Sequence, residues 1–216
     1  AFTDRTRIVL LNTPHNPTGT VLTDAELAVV AGLAVQHDVV VVTDEVYEHL
    51  VFDGRRHRPI ATLPGMAERT LTISSLGKSW SLTGWKVGWA TGPAHLVDAV
   101  LAVKQWTTFT SGSPLQPAAA HALDHEGDFP LALAADLQRR RDVLLDGLAE
   151  AGLAPRVSEG TYFTVTDVAD LGWPDGAAFC AALPERAGVV AIPMQGFYAG
   201  DAGRHLVRWA FCKDED

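Results

Sequence analysis

Short apolar runs alternate with longer amphipathic segments along the chain. Four consecutive valines, Val39–Val42, predict a strand buried on both faces, as in a parallel sheet, and Ile8–Leu11 predicts another buried strand. Thr70–Ser74 predicts a third. Between the first two, Thr23–Glu26 has the pattern of a capping box and predicts a helix to about Gln36. The alternation predicts an α/β fold with a mostly parallel sheet.

The alternation continues through the rest of the chain. Further strands are predicted at 86–91, 162–165 and 206–211, and further helices at 94–109, 115–124, 130–151 and 177–187. The long helix 130–151 carries three consecutive arginines, Arg139–Arg141, which we interpret as a solvated face. The second half therefore predicts a small α+β domain that follows the larger α/β domain.

Polar side chains follow each of the three strands predicted first. Asn16 lies in a proline-punctuated loop after the strand Ile8–Leu11. Asp44 and Tyr47 follow the valine strand. Ser75 and Lys78 follow the third strand. Because ligands bind at the carboxyl ends of strands in open α/β sheets, these side chains are expected to converge on one crevice.

Small and hydroxyl residues surround Lys78, and a second cation, Lys86, follows eight positions later. A lysine that forms a Schiff base must be partly desolvated and lie near other cationic groups, so that its amine is available near neutral pH. Hydroxyl neighbours donate hydrogen bonds to phosphate oxygens. The pattern indicates an amine presented to an aldehyde cofactor that carries a phosphate. The alternative is a surface lysine on a Gly/Ser turn.

Three motifs in this order give the chain a family resemblance. They are Asn12–Gly19 (Asn-x-Pro-His-Asn-Pro-x-Gly), Asp44–Glu48 (Asp-Glu-Val-Tyr-Glu) and Ser75–Trp89 (Ser-x-x-Lys, then Gly-Trp-Lys-x-Gly-Trp). The chain resembles the class I/II aminotransferases of the type I pyridoxal-phosphate (PLP) fold. Within them it is similar to the N-succinyldiaminopimelate, kynurenine/glutamine and methionine aminotransferases. Further matches extend the resemblance over nearly the whole chain, at Gly160–Phe163, Val189–Pro193 and Val207–Asp214.

The resemblance implies that four residues act on the reactive part of PLP. Lys78 would form the Schiff base and then carry the proton between the substrate's α-carbon and the cofactor. Asp44 would be the carboxylate beside the pyridine nitrogen, keeping it protonated as an electron sink. Tyr47 and Asn16 would donate hydrogen bonds to the phenolic oxygen. For Asp44, the alternative is a cap on a helix after the strand.

The resemblance also implies which residues hold the phosphate and the substrate. Ser75 and Lys86 would hold the phosphate, with Ser74 as a competing hydroxyl. Arg208 would bind the substrate's α-carboxylate bidentately, and Asn16 would lie beside the substrate. Because Arg208 lies in an apolar strand, a structural carboxylate partner is the alternative. No metal is implied.

Family members are considerably longer than this chain, so we expect it to be a fragment. The resemblance implies a three-layer α/β large domain over residues 1–130. An interdomain helix and part of a small α+β domain would occupy residues 131–216. On its own, the chain is expected to be inactive and to bind PLP weakly or not at all. At full length, the family implies a homodimer.

The expected activity is PLP-dependent transfer of an amino group between an amino acid and a 2-oxo acid such as 2-oxoglutarate. The resemblance leaves the donor open among N-succinyl-LL-diaminopimelate, kynurenine, glutamine and methionine. A cysteine-conjugate or cystathionine β-lyase would use the same Lys78, and a regulatory domain that senses PLP is a third interpretation.

Composition narrows the classes of function. The 216 residues carry a formal net charge of -9, which leaves no basic footprint for nucleic acid. No apolar run reaches the ~18 residues of a membrane span. Cys180 and Cys212 form no metal or redox motif. We therefore expect two reduced thiols in a cytoplasmic protein that binds no metal.

Overall fold

A computed structural model of the chain describes residues 2–214 and divides into two compact units. Unit 1 contains residues 2–14 and 21–133, and unit 2 contains residues 15–20 and 134–214. The main division therefore lies three residues after the boundary predicted at 130/131. The loop His15–Thr20 belongs to unit 2, which the sequence did not indicate.

Unit 1 is built on a four-stranded sheet. Its elements are β1 (Ile8–Asn12), α1 (Asp24–Gln36), β2 (Val40–Asp44), β3 (Thr70–Ser75), α2 (Leu76–Ser79), β4 (Gly88–Thr91), α3 (Ala94–Thr107), α4 (Leu115–His125) and the start of α5 (Phe129–Glu150). The strand order is β1-β2-β3-β4, with β1, β2 and β3 parallel and β4 antiparallel to β3. The predicted α/β class and mostly parallel sheet are confirmed.

Helix α1 covers one face of this sheet, and its start is fixed by the predicted capping box. The Thr23 hydroxyl accepts a hydrogen bond from the Glu26 amide, and the Glu26 carboxylate accepts one from the Thr23 amide at 2.8 Å. The Thr23 contacts lower the pKa of Glu26. Leu27, Ala31 and Ala34 then pack into one buried cluster with Val41 of β2.

The opposite face of the sheet is less covered than the sequence predicted. Ile8 and Leu10 of β1 are 62% and 73% exposed, and Val40 and Val42 are only half-buried. The prediction of strands buried on both faces was therefore wrong for these residues. Side chains alternate between the faces of a strand, and no residue of α3, the helix beside this second face, is fully buried.

Strand β4 begins later than predicted. Lys86 has φ 54°, in the left-handed region, so regular strand geometry starts only at Gly88. A Cβ on Gly88 would lie 2.8 Å from the backbone oxygen of Ser74, so only glycine allows β4 to approach β3 this closely.

Unit 2 is an α+β unit with its own core. Its elements are the rest of α5, β5 (Phe163–Asp167), α6 (Gly176–Ala187), β6 (Ile192–Pro193) and β7 (Leu206–Ala210). The antiparallel sheet has the order β5-β7-β6. Helix α6 begins at an Asp175 cap and buries Phe179 and Leu183 in a cluster with Val207 and Trp209. The elements predicted for this half of the chain are confirmed.

The three arginines of α5 do not form one solvated face. The side chain of Arg139 is 66% exposed, whereas that of Arg141 is only 4% exposed. Arg141 donates to the Ser158 carbonyl at 2.8 Å and pairs with Asp142. The predicted solvated face was therefore wrong for Arg141, because a helix turns about 100° per residue and consecutive side chains point in different directions.

Arg141→Ala is expected to lower the free energy of unfolding by about 2–3 kcal/mol, because it leaves the Ser158 carbonyl without this donor and removes a buried side chain. Arg139→Ala is the matched control and should change it by no more than about 0.5 kcal/mol. Urea unfolding of both variants tests this. An equal loss of unfolding free energy in the two variants would show that the burial of Arg141 does not stabilise the fold.

Candidate active site

The carboxyl end of β2 carries the first candidate residues. Asp44 is the last residue of β2, and its side chain accepts a hydrogen bond from the Val46 amide at 3.3 Å. On the neighbouring strand, the side chain of Asn12 donates to the Asp44 carbonyl at 3.1 Å. Tyr47 follows in a turn and is 2% exposed. Hydrogen bonds to its carbonyl and to its side chain therefore hold Asp44 at the end of β2.

Lys78 lies one strand further along the sheet, in the short helix α2 after β3. Its Nζ is 5.8 Å from the centre of the Tyr47 ring. Thr83 closes the following turn, since its hydroxyl donates to the Gly77 carbonyl at 2.6 Å. The Lys78 side chain is half-buried.

Three of the predicted residues border one cavity of about 580 Å³ in unit 1. They are Ser75, Lys78 and Lys86. Ser74 also borders it, but the Ser74 hydroxyl donates to the Glu48 carboxylate at 2.6 Å. Of the two serines that compete for a phosphate, the structure therefore favours Ser75. A volume of this size is typical of small-molecule sites.

Arg208 and Asn16 lie together in unit 2, although 192 positions separate them in sequence. A guanidinium nitrogen of Arg208 donates to Asn16 Oδ1 at 2.7 Å. The guanidinium carbon lies 4.0 Å from the ring centre of Phe163 and 5.4 Å from that of Phe197. Aromatic faces attract and orient a guanidinium. Sequence reasoning missed Phe197, because nothing in its local pattern links it to a strand that begins nine positions later.

His15 is a turn residue, and its carbonyl accepts a hydrogen bond from the Gly19 amide at 2.8 Å. Its Nδ1 lies 2.7 Å from the Thr18 hydroxyl, and burial lowers the pKa of His15 below its usual value.

The candidate residues form two groups. Asp44, Tyr47, Ser75, Lys78 and Lys86 belong to unit 1, and Asn16 and Arg208 belong to unit 2.

Comparison with known proteins decides the family. The family model described as aminotransferase class I and II matches residues 1–216. The chain belongs to this family. The family resemblance that the three sequence motifs indicated is therefore confirmed. The candidate residues are interpreted below as those of a class I and II aminotransferase.

Named relatives within the aminotransferases agree with the predicted subgroup. The chain is 52% identical to the Mycobacterium tuberculosis protein named "Probable N-succinyldiaminopimelate aminotransferase DapC", over 100% of this chain and 57% of that protein. It is 41% identical to human kynurenine–oxoglutarate transaminase 1, over 99% of this chain and 56% of that protein. The chain thus spans a little over half the length of these relatives.

Solved aminotransferase structures confirm the fold class. The N-succinyldiaminopimelate aminotransferase of Mycobacterium tuberculosis superposes with a TM-score of 0.96 at 54% identity, covering 100% of this chain and 56% of that one. YbdL of Escherichia coli, whose structure was described together with a methionine aminotransferase function, gives 0.93 at 38% identity, covering 99% and 56%.

The described residues, 2–214, contain neither a metal-binding cluster nor a membrane-spanning helix. No group of three or more His, Cys, Asp or Glu side chains is placed to hold a metal ion in this part of the chain. No helix described there is long and apolar enough to cross a membrane. Cys180 and Cys212 are both free thiols, and burial raises the pKa of Cys180 to about 11.

Proposed function

We propose that the natural protein is a PLP-dependent aminotransferase that moves an amino group between an amino acid and a 2-oxo acid. The observation that carries this proposal is the cavity in unit 1 that Ser75, Lys78 and Lys86 share. An amine beside a hydroxyl and a second cation is the set of groups that a phosphate-bearing aldehyde requires.

The residues present fit PLP group by group. Lys78 offers an amine for the aldehyde, while the Ser75 hydroxyl and the Lys86 ammonium offer a donor and a charge for the phosphate. Asp44 offers a carboxylate for the pyridine nitrogen. When bound, PLP supplies an electron sink that stabilises negative charge at the substrate's α-carbon.

Within this proposal, Lys78 moves the proton. Its Nζ receives the proton that leaves the substrate's α-carbon and delivers it again to complete the transfer, acting first as base and then as acid. Tyr47 lies next to Lys78 and would donate from its hydroxyl to the cofactor's phenolic oxygen. Asp44 would supply a carboxylate to the pyridine nitrogen and so favour the protonated ring.

Arg208 and Asn16 bind the substrate in this proposal. The guanidinium is oriented by Asn16 on one edge and by the rings of Phe163 and Phe197. A guanidinium binds a carboxylate through two parallel hydrogen bonds, and this is the role that we propose for Arg208. A fixed carboxylate in turn fixes the direction of the α-hydrogen.

Arg208→Ala should raise KM for the amino acid by about 100-fold, because a charge-assisted bidentate pair is lost. Its effect on the spectrum of the bound cofactor should be small. Arg204→Ala, which removes an exposed arginine four positions away, is the matched control and should leave KM unchanged. A fall in stability with unchanged KM would instead favour a structural role for Arg208.

The substrate class rests on the similarity to named relatives. We propose 2-oxoglutarate as acceptor and N-succinyl-LL-diaminopimelate as the first donor to test, with kynurenine, glutamine and methionine next.

Product analysis tests the reaction type. Without a 2-oxo acid acceptor, an aminotransferase forms at most one equivalent of oxo acid per active site, whereas a β-lyase continues to form pyruvate and ammonia. A homodimer in the cytoplasm belongs to the same proposal, and light scattering of the natural protein tests the dimer.

A further inference from the structure

The motif Asp44–Glu48 contains two carboxylates that the proposed chemistry does not use. Glu45 is 0% exposed and lies between Asp44, the last residue of β2, and the turn that contains Tyr47. A buried carboxylate is costly unless it is paired and hydrogen-bonded. Glu45 has two polar partners, a hydroxyl and an imidazole. Its Oε1 accepts from the Thr43 hydroxyl at 3.1 Å, and its Oε2 lies 2.7 Å from His57 Nε2.

His57 reaches Glu45 from an exposed loop. The residues on either side of it, Arg56 and Arg58, are exposed, whereas the His57 side chain is only 5% exposed. The loop follows the turn in sequence, and its His57 side chain contacts Glu45, which lies 12 positions earlier. The buried contact between His57 and Glu45 joins the loop to the turn.

Glu45 and Asp44 point to opposite faces at the end of β2, so the buried contacts of Glu45 lie on a different face from the proposed chemistry. Thr43 and Glu45 are both 0% exposed, while Asp44, between them, is half-buried. Consecutive side chains at the end of a strand point to opposite faces, so Glu45 is held on the face away from Asp44. At the far end of the turn, Glu48 accepts a hydrogen bond from Ser74, beside Ser75. The turn is thus tied at both ends.

We infer that Glu45 and His57 are positioning residues, whose buried hydrogen-bonded contact holds the turn that presents Asp44 and Tyr47 to the cofactor. This inference rests on the proposed function. Neither residue touches the cofactor in this account. Their contribution is the placement of the carboxylate and the phenol, since a displacement of about 1 Å in an active site can cost about 100-fold in rate.

The test compares three variants of the natural protein. His57→Leu removes the imidazole partner of Glu45, and Glu45→Gln keeps the shape and both polar contacts. Arg58→Gln, the control, breaks an exposed ion pair with Asp24. The dissociation constant of PLP and the visible spectrum of the bound cofactor are measured at a temperature where each variant is folded. The thermal midpoint without PLP is measured in parallel.

His57→Leu should weaken PLP binding by about 10- to 100-fold and alter the spectrum. Glu45→Gln and Arg58→Gln should stay within about threefold of the unchanged protein. If His57→Leu does not fold, Glu45→Leu/His57→Leu, which leaves no unpaired charge, should show the same loss of affinity.

Unchanged affinity and spectrum in His57→Leu, or in the double variant, would overturn the inference, even if the thermal midpoint falls. Failure of the proposed function has a different outcome. In that case the unsubstituted protein itself would bind no PLP, whatever the state of Glu45 and His57.

Discussion

Replacing Lys78 with alanine is expected to abolish transamination, with a loss of more than about 10⁴-fold, and to remove the covalent attachment of PLP. The amine has two roles in the proposed mechanism, as nucleophile and as carrier of the α-proton. Alanine supplies neither. Ser75 and Lys86 remain on the cavity wall, so PLP should still bind, non-covalently, through its phosphate.

Lys213→Ala is the matched control for this prediction. Lys213 is exposed and does not border the cavity that Lys78 borders, so its loss should leave the rate within about twofold. Steady-state rates and the absorbance of the bound cofactor are measured for both variants. Activity retained by Lys78→Ala would contradict the assignment.

Asp44→Asn should retain bound PLP but lose about 10³-fold in rate. The amide keeps an oxygen for the Val46 amide, so the turn should keep its conformation. It carries no negative charge, however, and cannot retain the proton on the pyridine nitrogen. The expected pattern is therefore a near-normal cofactor content with a greatly reduced rate.

Single-turnover rates and cofactor content measured on the same samples test the Asp44 prediction. Asp24→Asn, an exposed residue in the first turn of α1, serves as control for the loss of one negative charge and should leave both quantities unchanged. A normal rate in Asp44→Asn would mean that Asp44 only caps the turn.

Much of the fold was predictable because local patterns decided it. The capping box at Thr23 and the valines before Asp44 gave the correct helix and strand. Burial was harder to predict. The apolar side chains of Ile8 and Leu10 indicated a covered face, but sequence does not say which elements cover a strand. Arg141 was predicted to be exposed together with its neighbours, because three consecutive arginines do not reveal which of their side chains points inward.

The candidate site was predictable where strand ends carried it, and less so where distant segments meet. Asn16 and Arg208 were both named from the family resemblance, yet no local pattern gives the hydrogen bond between them. Phe197 was missed for the same reason. The partner of Glu45 was also missed, because an acidic residue after a strand looks the same in sequence whether it is exposed or paired with a buried histidine such as His57.

The most direct test of the account is chemical trapping of the cofactor. The natural protein is mixed with PLP, its absorbance is recorded, the complex is reduced with borohydride, and the labelled peptide is identified. The account predicts a yellow protein with a single label on Lys78. A protein with no absorbance band and no label, or with its label on another lysine, would contradict it.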